Sequence, residues 1–186
     1  MLAARMAGDA ELTIKYAMAV GELRRGSRFT GSGDLAEGYL LAGQKEKALE
    51  IFSRDEDYPD WLSSCVEARD NPKLVEGVYE SMQETFDLLH DKEIRIYSNE
   101  MMQMWWVIRC SSWIDKPDLA VDILLKTPAV PTEAKFFGFF NSDARSLRQH
   151  PTFHRFVLDV GLLDYWKKWG WSDYCEPVGD DDFRCD

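Results

Sequence analysis

The sequence has little basic charge, no long apolar run and few histidines. Each shortage excludes a class of function. It contains 22 Lys and Arg residues against 33 Asp and Glu residues, a formal net charge of −11 at pH 7. Basic residues are adjacent only at Arg24–Arg25 and Lys167–Lys168, whereas nucleic-acid binding needs a basic patch that displaces counterions from phosphates. No apolar run approaches the ~20 residues that cross a bilayer. We therefore expect neither a nucleic-acid nor a membrane partner.

Patterns of catalytic and cofactor sites are equally scarce. The sequence has no nucleophile elbow, phosphate loop or Ser/His/Asp arrangement. The stretch "GSGDLA" formally fits a dinucleotide fingerprint, but no apolar strand precedes it. His150 and His154 are four residues apart, yet Pro151 disfavours a helical conformation at His150. The acidic run Asp180–Asp182 lacks the alternate spacing of a calcium loop. The sequence therefore predicts no enzyme activity, no cofactor and no metal.

The four cysteines fall into two groups. Cys65 and Cys110 lie in apolar helical patterns, where a thiol behaves as a small hydrophobic group. Cys175 and Cys185 lie in an irregular acidic tail, where they form a disulfide in an oxidising compartment or stay free thiols in a cytosol. We expect a cytoplasmic location, with the periplasm as the alternative if Cys175 and Cys185 are joined.

Helical periodicity runs along most of the chain, and strand patterns are nearly absent. The pattern predicts an all-α fold and a single domain over residues 1–186. The segment from Glu93 to Trp113 has two apolar seams, which indicates a helix packed on both sides. The predicted helices are Ala10–Arg24, Leu35–Ala42, Lys45–Arg54, Tyr58–Ala68, Pro72–His90, Glu93–Trp113 and a short one from Pro117 to near Pro128.

One stretch, "GDLAEGYLLAGQKEKALEIFSR", resembles a tetratricopeptide repeat, which consists of two helices joined by a tight turn. Small Ala36 and Ala48 would let the two helices approach closely, and Gly43 would form the turn. Weaker copies follow at residues 61–82 and 105–128. The remaining matching positions are Leu35, Tyr39 and Phe52.

The segment "LRQHPTFHRFVLDVGLLDYWKKWGWSDYC" resembles the closing part of bacterial tetratricopeptide-repeat proteins, which are often attached to winged-helix regulators or nucleotide cyclases. The resemblance implies a right-handed superhelix of antiparallel helix pairs, an α-solenoid with an aromatic helical cap at its C-terminal end. Degenerate repeats would occupy residues of about 10–130, and the cap and an acidic tail would occupy 131–186. The side chains expected mainly in the cap are Tyr165, Trp166, Trp169 and Trp171.

The resemblance also implies a function, which is the binding of a protein partner in the concave groove of the repeats. The first helix of each pair would line that groove, and an acidic surface favours a basic or amphipathic partner peptide or helix. Such a module would serve as a scaffold, or as the sensory or regulatory part of a bacterial signalling or transcription protein. The predicted partner-binding residues are Glu37, Tyr58, Glu67, Glu100 and Gln103.

Two other functions stay open from the sequence. A regulatory domain could bind a small ligand between helices near Met101, Met104 and Trp105, although a plain apolar core explains the same residues. An enzyme using scattered acids would be favoured by buried carboxylates with raised pKa values.

Overall fold

A computed structural model describes residues 4, 7–23, 32–54, 58–89, 99–126 and 138–186 of the chain. This part is mostly helical and ends in a small two-stranded sheet. None of its helices is long and apolar enough to cross a bilayer. The elements are α1 (Ala10–Leu23), α2 (Ser32–Leu41), α3 (Lys45–Arg54), α4 (Trp61–Ala68), a 3₁₀ turn (Pro72–Leu74), α5 (Val75–Leu89), α6 (Asn99–Trp113), α7 (Pro117–Lys126), α8 (Arg145–Gln149), α9 (Pro151–Asp159), α10 (Leu162–Trp169), β1 (Cys175–Val178) and β2 (Asp182–Cys185).

Most predicted helices are confirmed, with shifts at their ends. The predicted bounds of α3 are those observed, and α1 begins at Ala10 as predicted, while its predicted end at Arg24 lies outside the described residues. The helix predicted from Tyr58 begins at Trp61, and the one predicted from Pro72 begins as a 3₁₀ turn. The start predicted for α6 at Glu93 lies outside the described residues. The chain divides into two compact units, Met1–Ser81 and Met82–Asp186, and the boundary falls within α5.

In the first unit, α2 and α3 form a helical hairpin that closes at Gly43. This glycine has a φ of +70°, a left-handed conformation that side chains disfavour. The Gly43 N–H donates to the Leu40 carbonyl at 3.1 Å, and the Gln44 N–H donates to the Tyr39 carbonyl at 2.8 Å. These two bonds are a Schellman motif, which satisfies the last carbonyls of α2. The turn predicted at Gly43 is confirmed.

Small residues allow α2 to pack closely against its neighbours. Ala36 and Ala48 are fully buried, as the repeat pattern predicted. A Cβ atom placed on Gly38 would lie 2.8 Å from Cγ1 of Ile14 and 3.2 Å from its backbone nitrogen. Helix α2 therefore approaches α1 to a distance that only glycine permits.

We expect Gly38→Ala to destabilise the chain by about 1–3 kcal/mol, because overpacking against the Ile14 backbone outweighs the better helix propensity of alanine. Gly77→Ala in α5 is the matched control, since nothing lies within 4 Å of a Cβ placed there. That change should be neutral or stabilise the chain by up to about 1 kcal/mol. Urea unfolding followed by circular dichroism measures both. Equal effects of the two substitutions would contradict the close approach of α1 and α2.

In the second unit, α6 packs against α7, and α8 and α9 also contact α7. The prediction that α6 is packed on more than one side is confirmed for its C-terminal half, where an unbroken run of residues is buried. Its buried residues are Met104, Trp106, Val107, Ile108, Arg109, Cys110, Ser111 and Ser112.

The prediction that Cys65 and Cys110 are buried thiols is wrong about the thiols. Both side chains are buried, as expected, but both are disulfide-bonded. None of the four cysteines, all within the described residues, is a free thiol. The apolar pattern around each cysteine indicates burial, but the distance between two sulfurs depends on tertiary structure.

The prediction of an irregular acidic tail is also wrong, because this segment forms an antiparallel hairpin. In its register Cys175 faces Cys185 and Val178 faces Asp182. A disulfide joins Cys175 to Cys185 at the open end of the hairpin. Each strand has only four residues and buries only one of them. Alternating apolar residues were therefore too few to reveal strands.

Candidate functional site

The predicted partner-binding residues differ widely in exposure. Glu67, on α4, is exposed, whereas Tyr58 is half-buried just before that helix. Glu100 and Gln103 are half-buried on α6. Glu37 is buried, with 2% of its surface exposed. Four of the five residues therefore have side-chain surface available to a partner, and Glu37 has almost none.

The outward position predicted for Glu37 is wrong because α2 contacts both α1 and α3. Packing on two sides buries the three successive residues Ala36, Glu37 and Gly38, and Leu40 as well. The repeat pattern marked only one inward face, and it assigned Glu37 to the opposite, exposed face.

Tyr58 is held by contacts within its own unit. Its hydroxyl and that of Ser32 are 2.6 Å apart and share a hydrogen bond. Its ring meets Phe52 edge-on, with centroids 5.2 Å apart. Tyr58 thus fixes the start of α2 against the end of α3, and only its remaining surface can contact a partner.

The residues considered for a small ligand lie on α6. Met104 is buried, while Met101 and Trp105 are half-buried. The burial of Met104 agrees with a core position, and it leaves the two half-buried neighbours as the accessible part of this group.

An ion pair between buried Arg109 and half-buried Asp143 connects α6 to the segment before α8. Arg109, 3% exposed, donates to both carboxylate oxygens of Asp143, with distances of 2.5 and 2.8 Å. The Trp113 indole N–H donates to the same carboxylate, and the Ser112 hydroxyl donates to the Asp143 carbonyl. Burial alone would raise the pKa of Asp143, but the Arg109 charge and the Trp113 hydrogen bond hold it below its usual value. Asp143 is therefore an ionised structural partner.

A second buried guanidinium, that of Arg148 on α8, connects three parts of the unit. Its Nη1 donates to the carbonyls of Phe139 and Asn141 at 2.9 and 2.7 Å. Its Nε donates to the Asp186 carbonyl at 2.9 Å, and its guanidinium carbon lies 4.0 Å from the centre of the Tyr174 ring. Burial lowers the pKa of Arg148, and the Asp186 charge opposes that effect. One side chain thus ties the two residues that flank the hairpin, Tyr174 and Asp186, to α8.

An aromatic cluster fills the space between α9, α10 and the hairpin. The Trp166 ring lies 5.5 Å from Trp171, 5.5 Å from Phe183 and 6.2 Å from Phe140. Phe153 contacts Phe139 at 4.7 Å and Phe183 at 6.5 Å. Trp166 and Phe183 are buried, so the centre of the predicted aromatic cap is packed as expected.

The cap does not bury all of the aromatic residues assigned to it. Tyr165 is 57% exposed and Trp169 is 67% exposed, four positions apart on α10. Residues at that spacing share one face of a helix. Trp171 is half-buried. Tyr165 and Trp169 therefore form an exposed aromatic strip and are not part of the packed cap.

Beside the cap is an open depression of about 240 Å³. Within it, the His154 ring stacks on Phe183 at 4.6 Å, nearly parallel. Its Nε2 lies 2.7 Å from Oδ1 of Asp182, and this hydrogen bond is the main cause that lowers the pKa of Asp182. The other lining residues are Arg148, Gln149, His150, Pro151, Arg184 and Cys185.

The two neighbouring histidines make separate contacts. His150 precedes α9, as predicted, and its Nδ1 accepts from the Thr152 N–H at 3.2 Å. Its Nε2 lies 3.2 Å from Asp118, whereas His154 pairs with Asp182. Across the described ranges, no three His, Cys, Asp or Glu side chains gather as a metal site requires.

Asp143 and Phe183 organise this region but were not singled out from the sequence, and Arg148 was marked only as a matching position in the segment that resembles the closing part of tetratricopeptide-repeat proteins. Arg148 and Asp143 act through partners that are distant in sequence, and no local pattern marks such partners. The sequence contains one signal of the hairpin that includes Phe183. Gly179 and three aspartates separate two short runs that each contain a cysteine. A glycine with acidic neighbours between two short runs is a turn signal of a hairpin.

The chain matches no protein-family model, no curated protein and no solved structure.

Proposed function

We propose that the chain is a protein-interaction module, built as a short array of tetratricopeptide-like helix pairs that binds a partner segment. The observation that carries the proposal is the α2–α3 hairpin, with its Gly43 turn and its buried Ala36 and Ala48. Helix pairs of this kind stack into right-handed superhelices, and their first helices line a concave groove. The module would act as a scaffold or as the regulatory part of a signalling or transcription protein.

The charge of the chain supports a basic or amphipathic partner. A net charge of −11 gives a surface that attracts basic segments over a Debye length of about 8 Å in physiological salt. Glu67 is exposed on a presumed first helix, and Tyr58 offers part of an aromatic ring nearby in sequence. Glu100 and Gln103 would make the corresponding contacts on α6.

The cysteines support an oxidising compartment. Disulfides persist where thiols are not kept reduced, and all four cysteines are disulfide-bonded. We therefore favour the periplasmic alternative over the cytoplasmic location that the sequence suggested.

Peptide binding tests the proposal. A fluorescein-labelled amphipathic helix with lysine on one face and leucine on the other is titrated with the oxidised chain, and anisotropy gives Kd. We expect Glu67→Ala to weaken binding by about threefold to tenfold, since one desolvated charge pair is removed. The affinity should fall further as salt is raised from 50 to 500 mM.

Glu84→Ala is the control, because it removes one exposed carboxylate from α5, a presumed second helix. It should leave Kd within about twofold of the parent value, because a charge outside the interface contributes little to binding. Equal losses for Glu67→Ala and Glu84→Ala would show attraction by net charge alone and would refute the groove. Absence of binding at low salt would refute the basic-partner proposal.

A further inference from the structure

One cysteine of the hairpin disulfide is more exposed than the other. Cys185 is half-buried and lines the open depression beside α9, whereas Cys175 is 5% exposed. A thiol-containing reagent can therefore approach Cys185 from solvent. Attack at that sulfur makes Cys175 the leaving group.

Basic groups surround the accessible sulfur. Arg148, His150, His154 and Arg184 line the same depression as Cys185. The carboxylates that pair with them, Asp186, Asp118, Asp182 and Glu176, do not line it. The guanidinium groups of Arg148 and Arg184 are the cations that line the depression, and cationic neighbours favour thiolates, both as the attacking species and as the product.

The disulfide also sets the position of the two residues that hold Arg148. Tyr174 precedes Cys175, and its ring lies against the guanidinium. Asp186 follows Cys185, and its carbonyl accepts from Arg148 Nε. The Asp186 N–H in turn donates to the Tyr174 carbonyl at 3.0 Å. Breaking the S–S bond therefore loosens the attachment of the hairpin to α8.

Little else fixes the hairpin. Of its eight strand residues only Cys175 and Phe183 are buried. The His154–Asp182 hydrogen bond and the Lys167–Asp181 ion pair lie on exposed side chains, and such contacts contribute little. A two-stranded hairpin alone is marginally stable. Without the disulfide, Phe183 is the main remaining apolar contact with Phe153 and Trp166.

We infer that Cys175–Cys185 is a redox-reactive site for a dithiol, and that the hairpin is a cover which opens when this disulfide is reduced. A thiolate of the dithiol attacks Sγ of Cys185, and Cys175 leaves with the bonding electron pair and takes up a proton. The second thiol of the reductant, after losing its proton, attacks the mixed disulfide and releases Cys185, which is protonated. The protein gains two thiols and the dithiol becomes a disulfide. Opening uncovers the aromatic surface of Phe153 and Trp166, independently of the proposed groove.

Differential alkylation of the full oxidised chain tests the reactivity. Dithiothreitol is added, samples are quenched with acid over time, and free thiols are alkylated and located by peptide mass spectrometry. Cys65 and Cys110 are an internal control, because both are disulfide-bonded and fully buried. We expect Cys175 and Cys185 to become labelled at least about tenfold faster. Labelling of Cys65 and Cys110 at the same rate or sooner would overturn the inference.

Hydrogen exchange tests the opening. After selective reduction, amides of residues 175–186 should exchange at least about tenfold faster than in the oxidised chain. The double variant Cys175→Ala/Cys185→Ala should show the same loss of protection without a reductant. Unchanged protection in both samples would mean that the hairpin is not a redox-controlled cover.

The role of the basic lining has its own test. Reduction of the parent by anionic 2-mercaptoethanesulfonate is compared with reduction by neutral 2-mercaptoethanol. Arg184→Gln should lower the ratio of the two rates severalfold, whereas Arg155→Gln, a charge change at an exposed residue outside the depression, should not. Equal ratios in the two variants would overturn the electrostatic part of the inference.

Discussion

Replacement of Asp143 by alanine should destabilise the second unit by about 3–5 kcal/mol, because it removes the carboxylate that pairs with a buried guanidinium. Arg109 is 3% exposed and donates two hydrogen bonds to the Asp143 carboxylate. The substitution also removes the acceptor of the Trp113 indole. Urea unfolding at pH 7, followed by circular dichroism on the oxidised chain, measures the loss.

A matched control separates this network from the general loss of a carboxylate. Asp173→Ala removes an exposed acid from the same unit and should change stability by no more than about 0.5 kcal/mol. Asp143→Asn should lie between the two, since an amide oxygen still accepts but carries no charge. If Asp143→Ala unfolds at the same urea concentration as Asp173→Ala, the Arg109–Asp143 pair is not a stabilising contact.

The pH dependence provides an independent check on the same pair. The pKa of Asp143 is lowered from 3.8 in the folded chain, so the stabilisation from its charge is fully present above that value. It is lost as the pH falls through the lower, folded-state pKa. The stability difference between the parent and Asp143→Ala should therefore be constant from pH 6 to 8 and shrink only below about pH 4. A difference that already shrinks near pH 6 would assign the effect to another group.

Helices were predictable from the sequence because their signals are local. The i, i+3, i+4 spacing of apolar residues and a glycine at a helix end both lie within one or two turns. Gly43 and the bounds of α3 illustrate this, since both were read correctly without any knowledge of neighbours. Local signals do not show whether a polar residue faces outward. Glu37 is buried because two other helices cover α2, and that depends on how the helices are packed.

The candidate site was less predictable, because its contacts join residues that are distant in sequence. Asp143 and Arg109 are separated by 34 positions, and Arg148 and Asp186 by 38. The hairpin was missed for another reason. It is held by one disulfide, one buried phenylalanine and the contacts of Arg148 with its flanks rather than by alternating apolar residues. The acidic run Asp180–Asp182, which spans the turn and the first residue of β2, resembled a solvated tail in composition.

The second large effect is expected for Arg148→Lys, which should destabilise the second unit by about 3–5 kcal/mol. Arginine reaches the Phe139, Asn141 and Asp186 carbonyls with a planar fork, and a single ammonium group cannot reproduce that arrangement. Phe139 and Asn141 are buried, and each buried carbonyl that loses a donor costs about 1–3 kcal/mol. The stacking on Tyr174 is lost as well.

Arg155→Lys is the matched control for this substitution, because the Arg155 side chain is 83% exposed and pairs only with a neighbouring carboxylate one helical turn away. It should change stability by less than about 0.5 kcal/mol. In Arg148→Lys, hydrogen exchange should also quicken at residues 174–186 while the disulfide stays intact. If both arginine variants unfold alike, the attachment of the hairpin rests on Phe183 and the disulfide alone. If Arg148→Lys alone is weakened, the disulfide and the guanidinium secure the hairpin jointly, because the residues flanking the two cysteines are the ones that hold Arg148.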